Sequence, residues 1–211
     1  MRYTVLAALL MSSTPAAADD CATLPRPQMR VRLTVPEDQA RVLTTIREIV
    51  DWSWEREGLA FEWLEGADGP GVWTGIDAWI AVVRRTRPVS NGDILGEVPF
   101  RQGVPGRLIR IYIDTVVTWL QRDQANRLRH GARVVGLPPD VPETLPRALG
   151  QIAAHEVGHF VLGSVTHAEA GLMQARYQHP HRILGAGPPL GLDTPSRARL
   201  HARLAARAAC P

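Results

Sequence analysis

One stretch, AAHEVGHFVLGSVTHAEAGLM from Ala153 to Met173, constrains this chain more than any other. His155 and His159 are four residues apart, so on a helix they stack on one face and can aim nitrogens at a common point. Glu156, three residues before His159, flanks that face. Small or apolar residues (Val157, Gly158) fill the variable positions, which suits a helix buried beneath a cleft. Gly163 then ends the helix, because glycine adopts the left-handed conformation at no steric cost.

Two imidazoles one turn apart with a carboxylate between them are a donor set for a metal ion. Zinc lowers the pKa of its bound water to about 7, and a neighbouring carboxylate can take the proton. HExxH on a helix therefore provides two ligands and a general base. In a chain with seven histidines, a chance occurrence has an expectation of roughly 0.01. The plain alternative is two core histidines satisfied by backbone, and it would leave Glu156 needing compensation for its burial.

The stretch resembles the metzincin clan of zinc endopeptidases, whose signature HExxHxxGxxH is followed by a methionine turn. The resemblance covers roughly these twenty-one residues. It implies one zinc ion per chain held by His155, His159 and His167, Glu156 as general base, and Met173 as an apolar floor beneath the metal. It further implies a zincin-like fold and a protein or peptide substrate. This chain carries one extra residue before the glycine and another before the last histidine. One added helical residue rotates the break by about 100°, which a longer return loop must compensate. The form HExGHxxLGxxxHxxxGxM is also similar to a group of exported bacterial peptidase-like proteins. Other candidates for the third ligand are Glu169 in the return loop, Asp193, and His179 or His181 in the stretch HPHR. Tyr177 and Arg176 are candidate donors to the oxyanion and stay outside the catalytic set.

The beginning of the chain reads as a secretory leader. Met1-Arg2, the apolar run Val5 to Met11 and the small residues Ala16 to Ala18 follow one another in the order such a leader requires. The run is too short for a bilayer span. Residues 1–18 are thus expected as signal peptide and 19–211 as one zincin-like catalytic domain, exported to the periplasm or beyond, with no stable membrane insertion. Cys21 and Cys210 are the only two cysteines, and in an oxidising compartment they are expected to pair. Such a bridge contributes on the order of 5 kcal/mol by chain entropy. The rival is Cys21 as an inhibitory thiolate on the metal.

All 24 basic residues are arginine, against 21 acidic ones. A nucleic-acid binder would mass its positive charge with aromatic stacking partners. Here the acids offset it, and a salt-bridged surface is the better account.

The pattern elsewhere is α+β, a mixed twisted sheet packed on helices. Met29 to Val35 alternates as a strand. A helix opened by Pro36-Glu37-Asp38 follows, with Val42, Ile46, Ile49, Val50 and Trp54 at helical spacing. Strands are expected at Leu59–Leu64, Asp77–Arg84 and Arg107–Asp114, with a short edge strand in ILGEVPF, where Pro99 favours an edge. Helices are expected from Thr115 to about His130, from Thr144 or its neighbouring prolines to Gly163, and from Thr194 to Ala208, with LPPDVPETLP as a loop. Two readings compete with a peptidase: a non-proteolytic zinc-binding module of the same fold, which has no use for Glu156, and a periplasmic metal-carrying protein with HPHR as an auxiliary site.

Overall fold

The computed structural model describes residues 27–65, 77–85, 94–129, 141–175 and 188–208. The proposed leader, both cysteines, Arg176, Tyr177, His179 and His181 lie outside the described residues.

Strand β1, Gln28–Thr34, alternates as expected and buries Met29, Val31 and Leu33 on one face. Pro36 then opens a 3₁₀ turn over Glu37–Val42, kinked at Gln39, before α1 runs from Leu43 to Glu55. The helix buries Ile46, Ile49, Val50, Ser53 and Trp54, the i, i+3, i+4, i+7, i+8 stripe of a helix lying on a core. Each such buried aliphatic side chain contributes about 1.5–3 kcal/mol. β2 (Ala60–Leu64) returns parallel to β1, and β3 (Ala78–Val83) lies parallel on its other side. β3 is buried at five of its six positions, as a central strand with both faces covered must be.

The stretch ILGEVPF yields less strand than expected. β4 is only Gly96–Glu97, and the chain then turns into a small hairpin, β5 (Phe100–Arg101) with β6 (Val104–Pro105). Pro99 has no N–H to donate, so pairing stops before it. β7 (Leu108–Tyr112) pairs parallel with β3 and antiparallel with β4. The sheet order is β2-β1-β3-β7-β4, which leaves β4 at an edge as anticipated.

β7 runs directly into α2, Ile113–Arg129. α3 spans Val141–Leu162, starting three residues before Thr144 inside the stretch read as a loop. The first N–H groups of a helix have no intrahelical partner, so Pro142 costs nothing there, and Pro146 removes a single bond near the start. α3 passes through the core with Ile152, Ala153, Ala154 and Val157 buried. It meets α1 closely at Gly150, where a Cβ would lie 2.8 Å from Ile49 Cδ1. Trp54 Nε1 also donates to Ala154 O at 3.2 Å. The last helix, α4, spans Thr194–Ala208. Asp193 caps it by accepting the Ser196 N–H at 3.2 Å. No helix among the described residues is long and apolar enough to cross a membrane.

Candidate metal centre

α3 stops at Leu162, and Gly163 takes a positive φ of 57°. Ser164 N–H bonds back to His159 O at 3.2 Å, and Gly163 N–H to Phe160 O at 3.3 Å. Those two bonds are the Schellman motif, which satisfies the last carbonyls of a helix and reverses the chain. Ser164 Oγ accepts from Thr166 N–H and from Arg199 of α4, both at 3.1 Å, so the return loop is pinned at its start. The reversal absorbs the extra residue: His167 arrives with Nε2 3.2 Å from His159 Nε2.

His155 Nε2 lies 3.1 Å from His159 Nε2. The tautomers of both rings follow from their other nitrogens. His155 Nδ1 is 2.7 Å from Leu172 O, and His159 Nδ1 is 2.7 Å from Ser164 O. A carbonyl only accepts, so each Nδ1 carries its proton and each Nε2 presents a lone pair. Two lone pairs at 3.1 Å repel unless a proton or a cation lies between them. Protons are disfavoured, because burial holds His155 down to about 3 and lowers His159 and His167 as well. A cation fits. Nitrogens bound at 2.0–2.1 Å to a tetrahedral ion lie about 3.3 Å apart, close to the 3.1 and 3.2 Å from His159 to its two neighbours, and all three ligand atoms lie within 4.8 Å of one another. Neutral imidazoles suit zinc, copper, iron or nickel. Among the described residues, these three histidines form the group that could hold an ion, His155 and His159 buried and His167 exposed.

Glu156 sits beside them with 6% of its surface exposed. Burial, with the charge of Glu97 added, pushes its carboxyl up to about 8. Glu97 stays ionised at the sheet edge: burial raises its pKa, but hydrogen bonds from Tyr112 Oη (2.7 Å) and Arg110 Nη1 (2.9 Å) outweigh that. β4 closes over Glu156 at Gly96, where a Cβ would stand 2.8 Å from Glu156 Cγ and 3.0 Å from Oε1. The absence of a side chain there is what lets the edge strand approach the acid.

Met173 is fully buried and lies under α3 at Gly158, where a Cβ would fall on its sulfur and 3.3 Å from Trp54 Cζ2. The turn that carries it is closed by Ala168 N–H to Met173 O at 2.8 Å. Glu169 is exposed, and Asp193 is occupied as the cap of α4. Neither belongs to the histidine group. The carbonyls of Leu172 and Ser164 and the bare backbone of Gly96 were not anticipated from sequence. Only the glycine offers a residue-type signal, a small residue inside a short apolar strand.

No protein-family model matches the chain, and no curated protein matches it in sequence. In structure it is similar to archaemetzincin from Methanopyrus kandleri, with a TM-score of 0.51 and 13% identity over 84% of this chain and 96% of that one. At that identity the likeness is one of fold: the mixed sheet packed on helices is shared.

Proposed function

We propose that this chain is a zinc-dependent endopeptidase, exported behind a leader of residues 1–18, with residues 19–211 as its catalytic domain. The observation that carries the reading is the convergence of the Nε2 atoms of His155, His159 and His167 beside a buried glutamate. The fold likeness to archaemetzincin, a name that places that protein among the metzincins, supports it at the level of fold.

In this reading His155, His159 and His167 hold the ion, which when bound supplies Lewis acidity and lowers the pKa of a water. A cation held by the histidines would favour the ionised carboxylate of Glu156 over its raised, buried acid form, and Glu156 would then take one proton from the attacking water and deliver it to the leaving amine. A carbon–oxygen bond forms at the scissile carbonyl, the carbon–nitrogen bond breaks, and the two products separate as acid and amine. β4 ends the sheet beside Glu156, and an extended peptide can add to its outer side as a further strand.

The test is metal analysis of the purified mature protein together with digestion of a peptide library. About one zinc per chain, lost to a strong chelator along with hydrolysis, is the expected result. Glu156→Gln should keep the metal and lose turnover, since an amide cannot take the proton. A parent that holds zinc but cleaves nothing would favour the non-proteolytic module. Several exchangeable ions per chain would favour the metal carrier.

A further inference from the structure

Gln151 lies on α3 one turn before His155 and is fully buried. Its Oε1 accepts the Leu190 N–H at 3.0 Å. Its Nε2 has no hydrogen-bond partner among the described residues. A buried amide satisfied on one side only is unfavourable, and a leucine or methionine in its place would pack without that loss. What the residue adds to the fold is the single bond to Leu190.

That bond leads back to the metal centre. Gly191, next to Leu190, accepts the Leu172 N–H through its carbonyl at 2.8 Å. Leu172 in turn offers its own carbonyl to His155 Nδ1 at 2.7 Å. The two backbones run in contact, because a Cβ on Gly171 would lie 2.8 Å from Gly191 O. On its far side the strap is held by Arg197, which donates to Leu192 O at 3.3 Å. Arg197 is itself fixed by a two-pronged pair with the buried Glu57, at 2.6 and 2.9 Å. The connections form a closed ring that leaves α3 at Gln151 and rejoins it one turn later at His155.

Building on the metal-centre reading, we infer that Gln151 is a positioning residue for the metal site, holding the strap 190–193 so that Leu172 O aims the ring of His155. Groups that orient metal-binding histidines through their second nitrogen alter metal affinity about 10–100-fold when removed. Gln151 acts one step further out, through backbone, and the lower end of that range, about 10-fold, is its expected effect.

The experiment compares the full-length parent with Gln151→Met, which keeps the volume and removes the acceptor. Co²⁺ alone is titrated by its visible absorption, urea unfolding is measured on chelator-treated protein, and exchange of the His155 Nδ1–H proton is followed by ¹⁵N NMR without metal. The expected result is about 10-fold weaker Co²⁺ binding and faster Nδ1–H exchange, with an unfolding midpoint equal to or above that of the parent. A purely structural role predicts the reverse, a lower midpoint with binding unchanged. Unchanged affinity and unchanged exchange overturn the inference. If the parent itself binds no Co²⁺, the metal reading fails while the exchange measurement still decides the positioning role. Gln151→Asn, which withdraws the oxygen by one methylene, makes the same test should the methionine variant not fold.

Discussion

Replacing Gly158 by alanine sets two effects of opposite sign against each other. In the interior of a helix, alanine is favoured over glycine by roughly 1 kcal/mol. On an open helix face that gain would be the whole outcome. At position 158 the new methyl would fall on Met173 Sδ, 3.0 Å from its Cε and 3.3 Å from Trp54 Cζ2. Ordinary carbon contacts are about 3.5–4.0 Å, so the thioether must move, and Met173 and Trp54 are both fully buried. Overpacking of this kind costs about 1–3 kcal/mol, and the directness of the collision points to the upper half. The net expectation is a destabilisation of about 1–2 kcal/mol, or a fall in Tm of about 2–8 °C for a chain of this size. Urea unfolding of chelator-treated protein, followed by tryptophan fluorescence, measures it, with an unchanged m-value required for the comparison. Met173→Ala should cost less in the Gly158→Ala background than in the parent, because the collision is then relieved. A Gly158→Ala protein more stable than its parent by about 1 kcal/mol would show that Met173 does not pack beneath α3.

His167→Ala should weaken zinc binding severely and remove hydrolysis, while Glu169→Ala and Asp193→Ala leave metal content near that of the parent; equilibrium dialysis with metal analysis decides among them. Gly96→Ala should retain zinc but reduce kcat at least 10-fold, because the added methyl meets Glu156; retained turnover would mean that β4 does not confine the acid. Cys21 and Cys210 should be bonded to each other in exported protein. Thiol titration under denaturing conditions should therefore find none, and two free thiols would revive the cysteine-switch reading.

The parts of the molecule legible in sequence were those that short-range rules govern. HEVGH reads as a helix because histidines four apart meet on one face, and Gly163 reads as its end because it can take a positive φ. β1 and α1 show their periods, and Thr194-Pro195 marks the start of α4. What escaped was either non-local or carried by backbone. The sheet order depends on pairings between distant segments. β4 shrank to two residues because Pro99 ends its ladder, and α3 began early because its prolines fall where missing donors cost little. The carbonyls of Leu172 and Ser164 belong to no residue type, so no pattern could announce them. In the sequence Gln151 is one polar residue in an apolar stretch, and its partner at Leu190 becomes visible only when the chain is folded.

The reversal at Gly163 also bears on the denatured chain. Because α3 turns back at once, the three histidines lie within a span of twelve positions, His155 to His167. Closing a loop of that length is easier than closing the thirty-eight positions from His155 to Asp193 by about 1 kcal/mol of chain entropy. A flexible, unfolded chain can therefore gather the same imidazoles around an ion at modest entropic expense. Binding to the unfolded state subtracts from the stabilisation that a metal confers on the native one. Added zinc should accordingly raise the melting temperature by less than its native-state affinity alone would give.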